Sequence, residues 1–478
     1  MEIIKDIQNA FLPELIIVIF IVLNIILALF IRKNAYKTAK IITSTGLVFA
    51  GIAMFFVQLI PEYYAFNGVY LSNIFTCTFK IMLLICAFFA VFISGNLTGL
   101  RKQKSFEFFS LLLSGILSGF SLVSSNDFIT AFISIEILSI SCYFLTGFNT
   151  NRKSKEAALK YLITGAASSA IFLLGVSYLY GITGSISLSE ISNIYANSTI
   201  NPLFFIACLL ILLSLMFKIG CIPFNNWIID VYEGAAYNIC AYLSLIPKIS
   251  AFAFIINVFI CIFSFSPVLK IISAFIALYT IIYGALGAIK QSNIKRLYAY
   301  SSIIHSGFIL FGISILTVYS VSASIFYIFT YIFMNIGIWT ASIIYNRDYK
   351  TDEIEDYKGL FSKRPYFTTA LTICLISLAG LPPASGFLAK IYLFSSAFRS
   401  DFIFMTLMFA AMLATVVSVF VYFKIIKVLY EKPSNEITIT KQGIFPGIIL
   451  YVCALITLLI GIYPNILIKI CQIVSYYI

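Results

Sequence analysis

Residues 203–223 read LFFIACLLILLSLMFKIGCIP. Apart from Ser214 and Lys218, nothing in this run seeks water before Gly220 and Pro223 interrupt it. About 20 mostly apolar residues are enough to cross the hydrocarbon core of a bilayer as a helix, so the run reads as a membrane span that ends in a lysine and a break. Runs of the same kind recur along the chain, approximately at 15–31, 41–60, 73–95, 106–124, 127–148, 157–181 and 202–220. They continue at 235–263, 268–289, 300–318, 321–345, 367–398, 402–430 and 443–470. They are too long and too uniformly apolar for alternating barrel strands, and helices satisfy their own backbone in lipid. The fold class is therefore an all-α integral membrane protein with about fourteen transmembrane helices, a single polytopic membrane domain over residues 1–478.

Composition supports that reading. Of 478 residues 61% are hydrophobic and 10% charged, with mean hydropathy +1.02. Soluble domains carry about 25% charged residues because they face water, and between the runs no stretch is long enough for one. Glu2, Lys5, Asp6 and Glu14 precede the first run, and no small-residue cleavage site follows Ile31. A retained first span is expected, not a cleaved leader. The ten cysteines are scattered singly through apolar segments, without a C-x-x-C pair. They read as small buried residues, so neither an iron–sulfur nor a zinc site is expected. The single histidine, His305, argues against a bis-histidine haem.

Loop charges set the orientation. Basic residues concentrate after odd-numbered spans: Arg32, Lys33, Lys37 and Lys40; Arg101, Lys102 and Lys104; Arg152, Lys153 and Lys155; Lys290, Lys295 and Arg296. Arg347, Lys350, Lys358, Lys363 and Arg364 follow span eleven, and Lys424, Lys427, Lys432 and Lys441 follow span thirteen. The other side keeps Lys5, Lys270, Arg399 and Lys469. By the positive-inside rule both termini are expected on the outer, periplasmic side of a bacterial inner membrane. The net charge of +12 is thus explained by topology, and nucleic acid is not an expected partner.

Once the loop charges are counted, five basic residues remain inside the apolar runs, Lys80, Lys160, Lys218, Lys248 and Lys390, and the acidic Glu136, within FITAFISIEILSISCYFLTGF (128–148), joins them. Each charge at mid-bilayer costs about 2.5–3.5 kcal/mol on insertion scales. Such residues face the bundle interior, pair with one another and by default mark an ion path. Lys160 follows the charged segment KSKEAALK, and Lys80 lies near a span end, so both can be accommodated by reaching the interface. Lys218, Lys248, Lys390 and Glu136 lie deep in their runs.

Helix breakers sit beside these lysines. Pro223 follows Lys218, Pro247 precedes Lys248, and Pro382 and Pro383 lie upstream of Lys390 in SLAGLPPASGFLAK. Proline removes a backbone hydrogen bond and exposes a carbonyl, and interrupted helices are the usual pointer to a transport site. Low dielectric penalises the charged form of a lysine or glutamate, and a nearby opposite charge restores it. A buried Glu–Lys pair can therefore hold or release a proton as its partners approach or separate. His305 adds a group that titrates near neutrality, with Tyr298, Tyr300, Ser301, Ser302 and Ser306 close in sequence to hold water.

KSKEAALKYLITGAASSAIFLLGVSYLYGITGS (153–185), FKIGCIPFNNWIIDVYEGAA (217–236), QSNIKRLYAYSSIIHSGFIL (291–310) and SLAGLPPASGFLAKIYLF (377–394) together resemble the antiporter-like membrane subunits of proton-pumping NADH-quinone oxidoreductase, respiratory complex I. The resemblance covers roughly 100–430. E-A-A-L-K-Y, D-V-Y-x-G-A and a lysine in span twelve are most similar to subunit N. It implies fourteen helices: spans 1–3 at 15–95, two inverted five-helix repeats at about 106–263 and 268–430, and a last span at 443–470. Spans seven and twelve would be discontinuous.

The resemblance also implies roles. Glu136 would modulate Lys218, Lys248 would be the central relay with His305 beside the route, and Lys390 the terminal group facing the outer side. Lys160, Asn225 and Asp230 are auxiliary candidates. Many relatives read P-F-H-x-W where this chain has Pro223-Phe224-Asn225-Asn226-Trp227; Asn225 cannot titrate but can still hold water. No metal and no cofactor is expected on this chain. NADH, FMN, iron–sulfur clusters and quinone would be bound by other subunits of the complex, whose antiporter-like and small linker membrane subunits, with the lipid bilayer, are the implied partners. A stand-alone cation/proton antiporter or a membrane-bound hydrogenase subunit shares the Glu–Lys pattern. A structural scaffold of the membrane arm is the third reading.

Overall fold

The structure is a computed structural model that describes residues 2–58, 62–94, 104–149, 151–196, 201–432 and 444–477. Arg101, Lys102 and Lys441, used above for orientation, lie outside the described residues.

The chain is a succession of helices with one β-hairpin. Helix α1 (Ile3–Phe30) contains a π-helical turn at Ile7–Phe11 and is followed by α2 (Ala35–Gln58). Strands β1 (Glu62–Ala65) and β2 (Tyr70–Asn73) pair antiparallel with Glu62 opposite Asn73. Then come α3 (Ile74–Ile93), α4 (Ser105–Ser124), α5 (Phe128–Thr146), α6 (Arg152–Thr183), the short α7 (Leu188–Ala196) and α8 (Pro202–Ile219). After a break follow α9 (Asn226–Gly234), α10 (Tyr237–Leu243), α11 (Ile246–Cys261), α12 (Pro267–Ile289), α13 (Ile294–Ile315) and α14 (Val318–Tyr349). The last helices are α15 (Pro365–Ala379), α16 (Ser385–Ala397), α17 (Phe402–Tyr430), α18 (Ile444–Ile462) and α19 (Asn465–Tyr476).

Starts and stops follow from local chemistry. Asn73 caps α3 in a reciprocal capping box with Thr76, Asp127 accepts from Ile129 and Thr130 N–H at the start of α5, and Asn293 does the same for α13. Each cap satisfies N–H groups that the first helical turn leaves unbonded. Helices α8 and α15 both stop at a glycine of positive φ, Gly220 at +74° and Gly380 at +80°, a backbone state that glycine adopts without penalty.

Two compact units emerge from backbone packing: residues 1–219, 234–269 and 477–478, and residues 220–233 and 270–476. In the first, α6 packs along α8, α4 along α5, and α1 against α2 and α4. In the second, α14 is the hub against which α15, α16, α18 and α19 pack. Every residue of α13 except half-buried Arg296 is buried. Helices α1 and α17 instead leave Leu29, Phe30, Phe402, Leu413 and Phe420 exposed, an apolar face suited to lipid. The cysteines, apart from half-buried Cys261, are buried.

Among the described residues twelve helices are long and apolar enough to cross a membrane, or thirteen counting one bent pair. Several expected spans are altered. The first extends upstream of 15–31, since Ile3–Phe30 is helical. The eighth, expected as 235–263, is interrupted at Ser244 and Leu245 just before Pro247. The twelfth, 367–398, is discontinuous as expected, split into α15 and α16, neither long enough alone. The last, expected as one span over 443–470, bends by 83° between α18 and α19. Pro464 lies at that bend and, having no N–H, cannot continue the helical ladder.

Candidate functional site

The first unit gathers Glu136, Lys218 and the segment around Lys248. Glu136 and Ser139 are three residues apart on α5, hence on one face. Lys218 stands in the last turn of α8 and donates to Ser139 Oγ at 3.0 Å. Glu136 accepts a short hydrogen bond from the Ser169 hydroxyl of α6. No direct ion pair joins Glu136 and Lys218 among the described residues, and the Ser139 hydroxyl donates its own proton to the Ile135 carbonyl at 2.6 Å. A cavity of about 10 Å³, room for the centre of one water molecule, is lined by Ser139, Tyr161, Lys218, Pro247 and apolar neighbours. Lys248, next to Pro247, is 3% exposed in the first turn of α11. Proline is tolerated there because first-turn N–H groups lack helical partners.

In the second unit the break after α15 builds a cation site from backbone. Gly380 turns the chain back, its own N–H bonding Ile376 and Ser377 carbonyls at 3.0 and 2.9 Å. The carbonyls of Ala379 and Leu378 are left to accept from Lys390 Nζ at 2.7 and 3.3 Å. These are terminal carbonyls at the negative end of the α15 dipole, where a cation is favoured. The ammonium also lies 5.3 Å from the centre of the Phe308 ring.

His305, 1% exposed, is held at both ring nitrogens. Nδ1 meets Tyr327 Oη at 2.8 Å and Nε2 meets Tyr422 Oη at 3.1 Å, while Tyr422 Oη also contacts Ser301 Oγ at 2.6 Å. Of the groups expected around the histidine, Ser301 joins this network and Tyr298 instead accepts from Ser342. Tyr327 and Tyr422, decisive for holding the ring, give no sign in the sequence beyond being tyrosines within apolar runs.

The auxiliary candidates divide. Lys160 is about half exposed and pairs with Glu156 one helical turn away at 3.1 Å. Asn225 is buried, and its Nδ2 has no hydrogen-bond partner among the described residues, so it has an amide donor to offer a water. Asp230 lies near Arg296, whose direct partner is Glu233 at 2.6 Å.

Lys80 corrects the expectation that it reaches the interface. It is fully buried and ion-paired at 2.8 Å with Glu14, also fully buried. Tyr70, from β2, donates a short hydrogen bond to Glu14 and accepts from Lys80 at 2.9 Å. Burial, then the Glu14 charge, hold the Tyr70 phenol well above its ordinary range, so it is a neutral donor at any physiological pH. Glu14 reads in sequence as part of a charged leader. The available signal was its place at the start of an apolar run that also required a partner.

These features define a multi-spanning helical membrane protein with buried lysines beside helix breaks. The family described as NADH:quinone oxidoreductase/Mrp antiporter, transmembrane, matches residues 125–418. NAD(P)H-quinone oxidoreductase subunit 2 from the chloroplast of Chara vulgaris is 34% identical over 446 residues, covering 90% of this chain and 87% of that protein. NADH-quinone oxidoreductase subunit N 2 of Rhizobium meliloti is 33% identical over 432 residues, 88% of each chain. A chain in the structure of respiratory complex I from Thermus thermophilus with bound aureothin superposes with TM-score 0.82 at 26% identity, covering 96% of this chain and 98% of that one. The chain belongs to the NADH:quinone oxidoreductase/Mrp antiporter family of membrane subunits, as its resemblance to subunit N implied.

Proposed function

We propose that this chain is a proton-translocating membrane subunit of an NADH-quinone oxidoreductase, in which protons are handed along Glu136, Lys218, Lys248, His305 and Lys390. The observation that carries this reading is the environment of Lys390: an ammonium group held by two carbonyls that a broken helix leaves open. Backbone carbonyls and a helix dipole stabilise a cation without a fixed counter-charge, so the proton can leave and return without stranding a buried carboxylate. Lys218 supports the same chemistry, because its ammonium is held by a neutral hydroxyl, that of Ser139, rather than by a carboxylate.

In this proposal α15 and α16 make one discontinuous crossing, completing fourteen spans, with inverted repeats over about 106–263 and 268–430. The membrane is the bacterial inner membrane, with both termini outside, and the neighbours are the other antiporter-like and small linker membrane subunits. The chain itself binds no redox cofactor and holds no complete active site; NADH, FMN, iron–sulfur clusters and quinone belong to other subunits.

Because the family also includes cation/proton antiporter subunits, the test must separate the two. Inverted vesicles containing the complex are given either NADH or a sodium gradient, and proton movement is followed. The proposal predicts NADH-driven uptake that Lys390→Ala reduces at normal assembly. Sodium-driven proton flux without NADH, lost in the same variant, would instead assign a stand-alone antiporter.

A further inference from the structure

The Glu14–Tyr70–Lys80 cluster lies apart in sequence from the lysines of the proposed route and is built from elements that route does not use: α1, the hairpin and α3. Both charges are at 0% exposure. A static ion pair of this kind is a poor stabilising device, since the cost of desolvating two charges rivals their attraction. In a membrane, buried ionisable groups are by default functional.

The geometry is that of a closed proton wire. Lys80 Nζ–H donates to Tyr70 Oη, and Tyr70 Oη–H donates to Glu14. Lys80 also reaches Glu14 Oε1 directly, whereas Glu14 Oε2 is buried with no partner among the described residues. A buried carboxylate oxygen is normally satisfied, so Oε2 wants a proton or a water. Cys77 and Ser124 are the other polar groups near the cluster.

The hairpin that carries Tyr70 is held from both sides. Asp6 clamps it, accepting from Tyr63 Oη at 2.6 Å and Phe66 N–H at 2.9 Å. Phe11 packs edge-on against Phe66 and Tyr70, at 5.7 and 5.6 Å between ring centres. On its other side the hairpin is tied to the α4–α5 junction, where Asn126 bonds the Val69 and Gly68 carbonyls at 2.9 Å each. The next residue, Asp127, caps α5, the helix that carries Glu136.

We propose that Glu14, Tyr70 and Lys80 form a second proton-exchange site, which alternates between an ion pair and a neutral pair through the Tyr70 hydroxyl. The step balances without any redox partner. The Tyr70 O–H bond breaks as a Glu14 O–H bond forms, and a Lys80 N–H bond breaks as the Tyr70 O–H is remade. A carboxylic acid and a free amine replace the carboxylate and ammonium, and the tyrosine is unchanged. Glu14 Oε2 is where the site meets a water brought under the hairpin.

The exchange is tested independently of pumping, by infrared difference spectroscopy of the purified complex between its oxidised and NADH-reduced states. The site predicts a band in the carboxylic C=O stretching region that shifts in D₂O and is lost in Glu14→Gln. Tyr70→Phe keeps the ring and both charges, and should slow the D₂O shift several-fold. No band attributable to Glu14 would make the cluster a static clamp, and a shift in Tyr70→Phe as fast as in the unaltered protein would overturn exchange through the Tyr70 hydroxyl. Should Glu14→Gln fail to assemble, Tyr70→Phe decides alone. A negative result here leaves the Lys218 route untouched, and loss of that route leaves this band in place.

Discussion

Lys218 donates its ammonium proton to the hydroxyl of Ser139 at 3.0 Å, with Glu136 one turn earlier on the same helix. The acid and the base of the expected pair are thus held by separate serines, Ser169 for Glu136 and Ser139 for Lys218. No direct salt bridge joins the two among the described residues.

Ser139→Ala removes the hydroxyl that holds Lys218. A hydrogen bond to a charged group is worth about 1.5–3 kcal/mol, a factor of roughly ten or more in occupancy. NADH-driven proton uptake should fall about tenfold while the complex still assembles, and Ser139→Thr, which keeps the hydroxyl, should recover most of it. Proton uptake in inverted vesicles reads both variants.

Gly380→Ala attacks the Lys390 site through its backbone. A Cβ there would sit 2.6 Å from Lys390 Cδ and 2.7 Å from Nζ, at φ +80°. The left-handed state alone costs a non-glycine residue about 1–2 kcal/mol, and the clash forces the ammonium off its carbonyls. Thermal unfolding should come earlier and pumping should drop. Gly51→Ala, where a Cβ meets nothing within 4 Å, is the control and should change neither.

Tyr422→Phe removes the hydroxyl that bridges His305 Nε2 and Ser301. A buried polar group left unbonded costs about 1–3 kcal/mol, and the ring loses the contact that sets its orientation. Pumping should fall with assembly retained; an unchanged proton yield would remove His305 from the route.

Lys160→Ala should do little to stability. An exposed pair of the Lys160–Glu156 kind contributes about 0–1 kcal/mol, so unfolding of the complex should shift by no more than about a degree or two.

Most of the fold is legible in the sequence because lipid imposes a single requirement, long apolar runs, on every span. The breaks after Lys218 and before Lys390 are legible for an equally local reason, glycine and proline within such runs. Long-range pairing is another matter. Glu14 and Lys80 are far apart in the chain, and each looks like an ordinary span-end charge until α1 and α3 are packed together. Tyr422 and Tyr327 reach His305 from two other helices, and nothing in VFVYFKII (419–426) marks its tyrosine as a partner of a buried ring. The bend at Pro464 did have a local signal, but the run on either side is apolar enough to pass for one span. Ser139 and Ser169 were hidden for the opposite reason, since serines are common in membrane helices and mostly bond their own backbone.

The most direct test of proton passage through this chain is NADH-driven proton uptake per NADH oxidised in inverted vesicles, comparing the unaltered protein with Lys218→Ala at equal assembly. The account predicts that NADH oxidation continues at a reduced rate while the proton yield drops sharply. A full proton yield without that lysine would contradict it and leave the buried lysines a structural role.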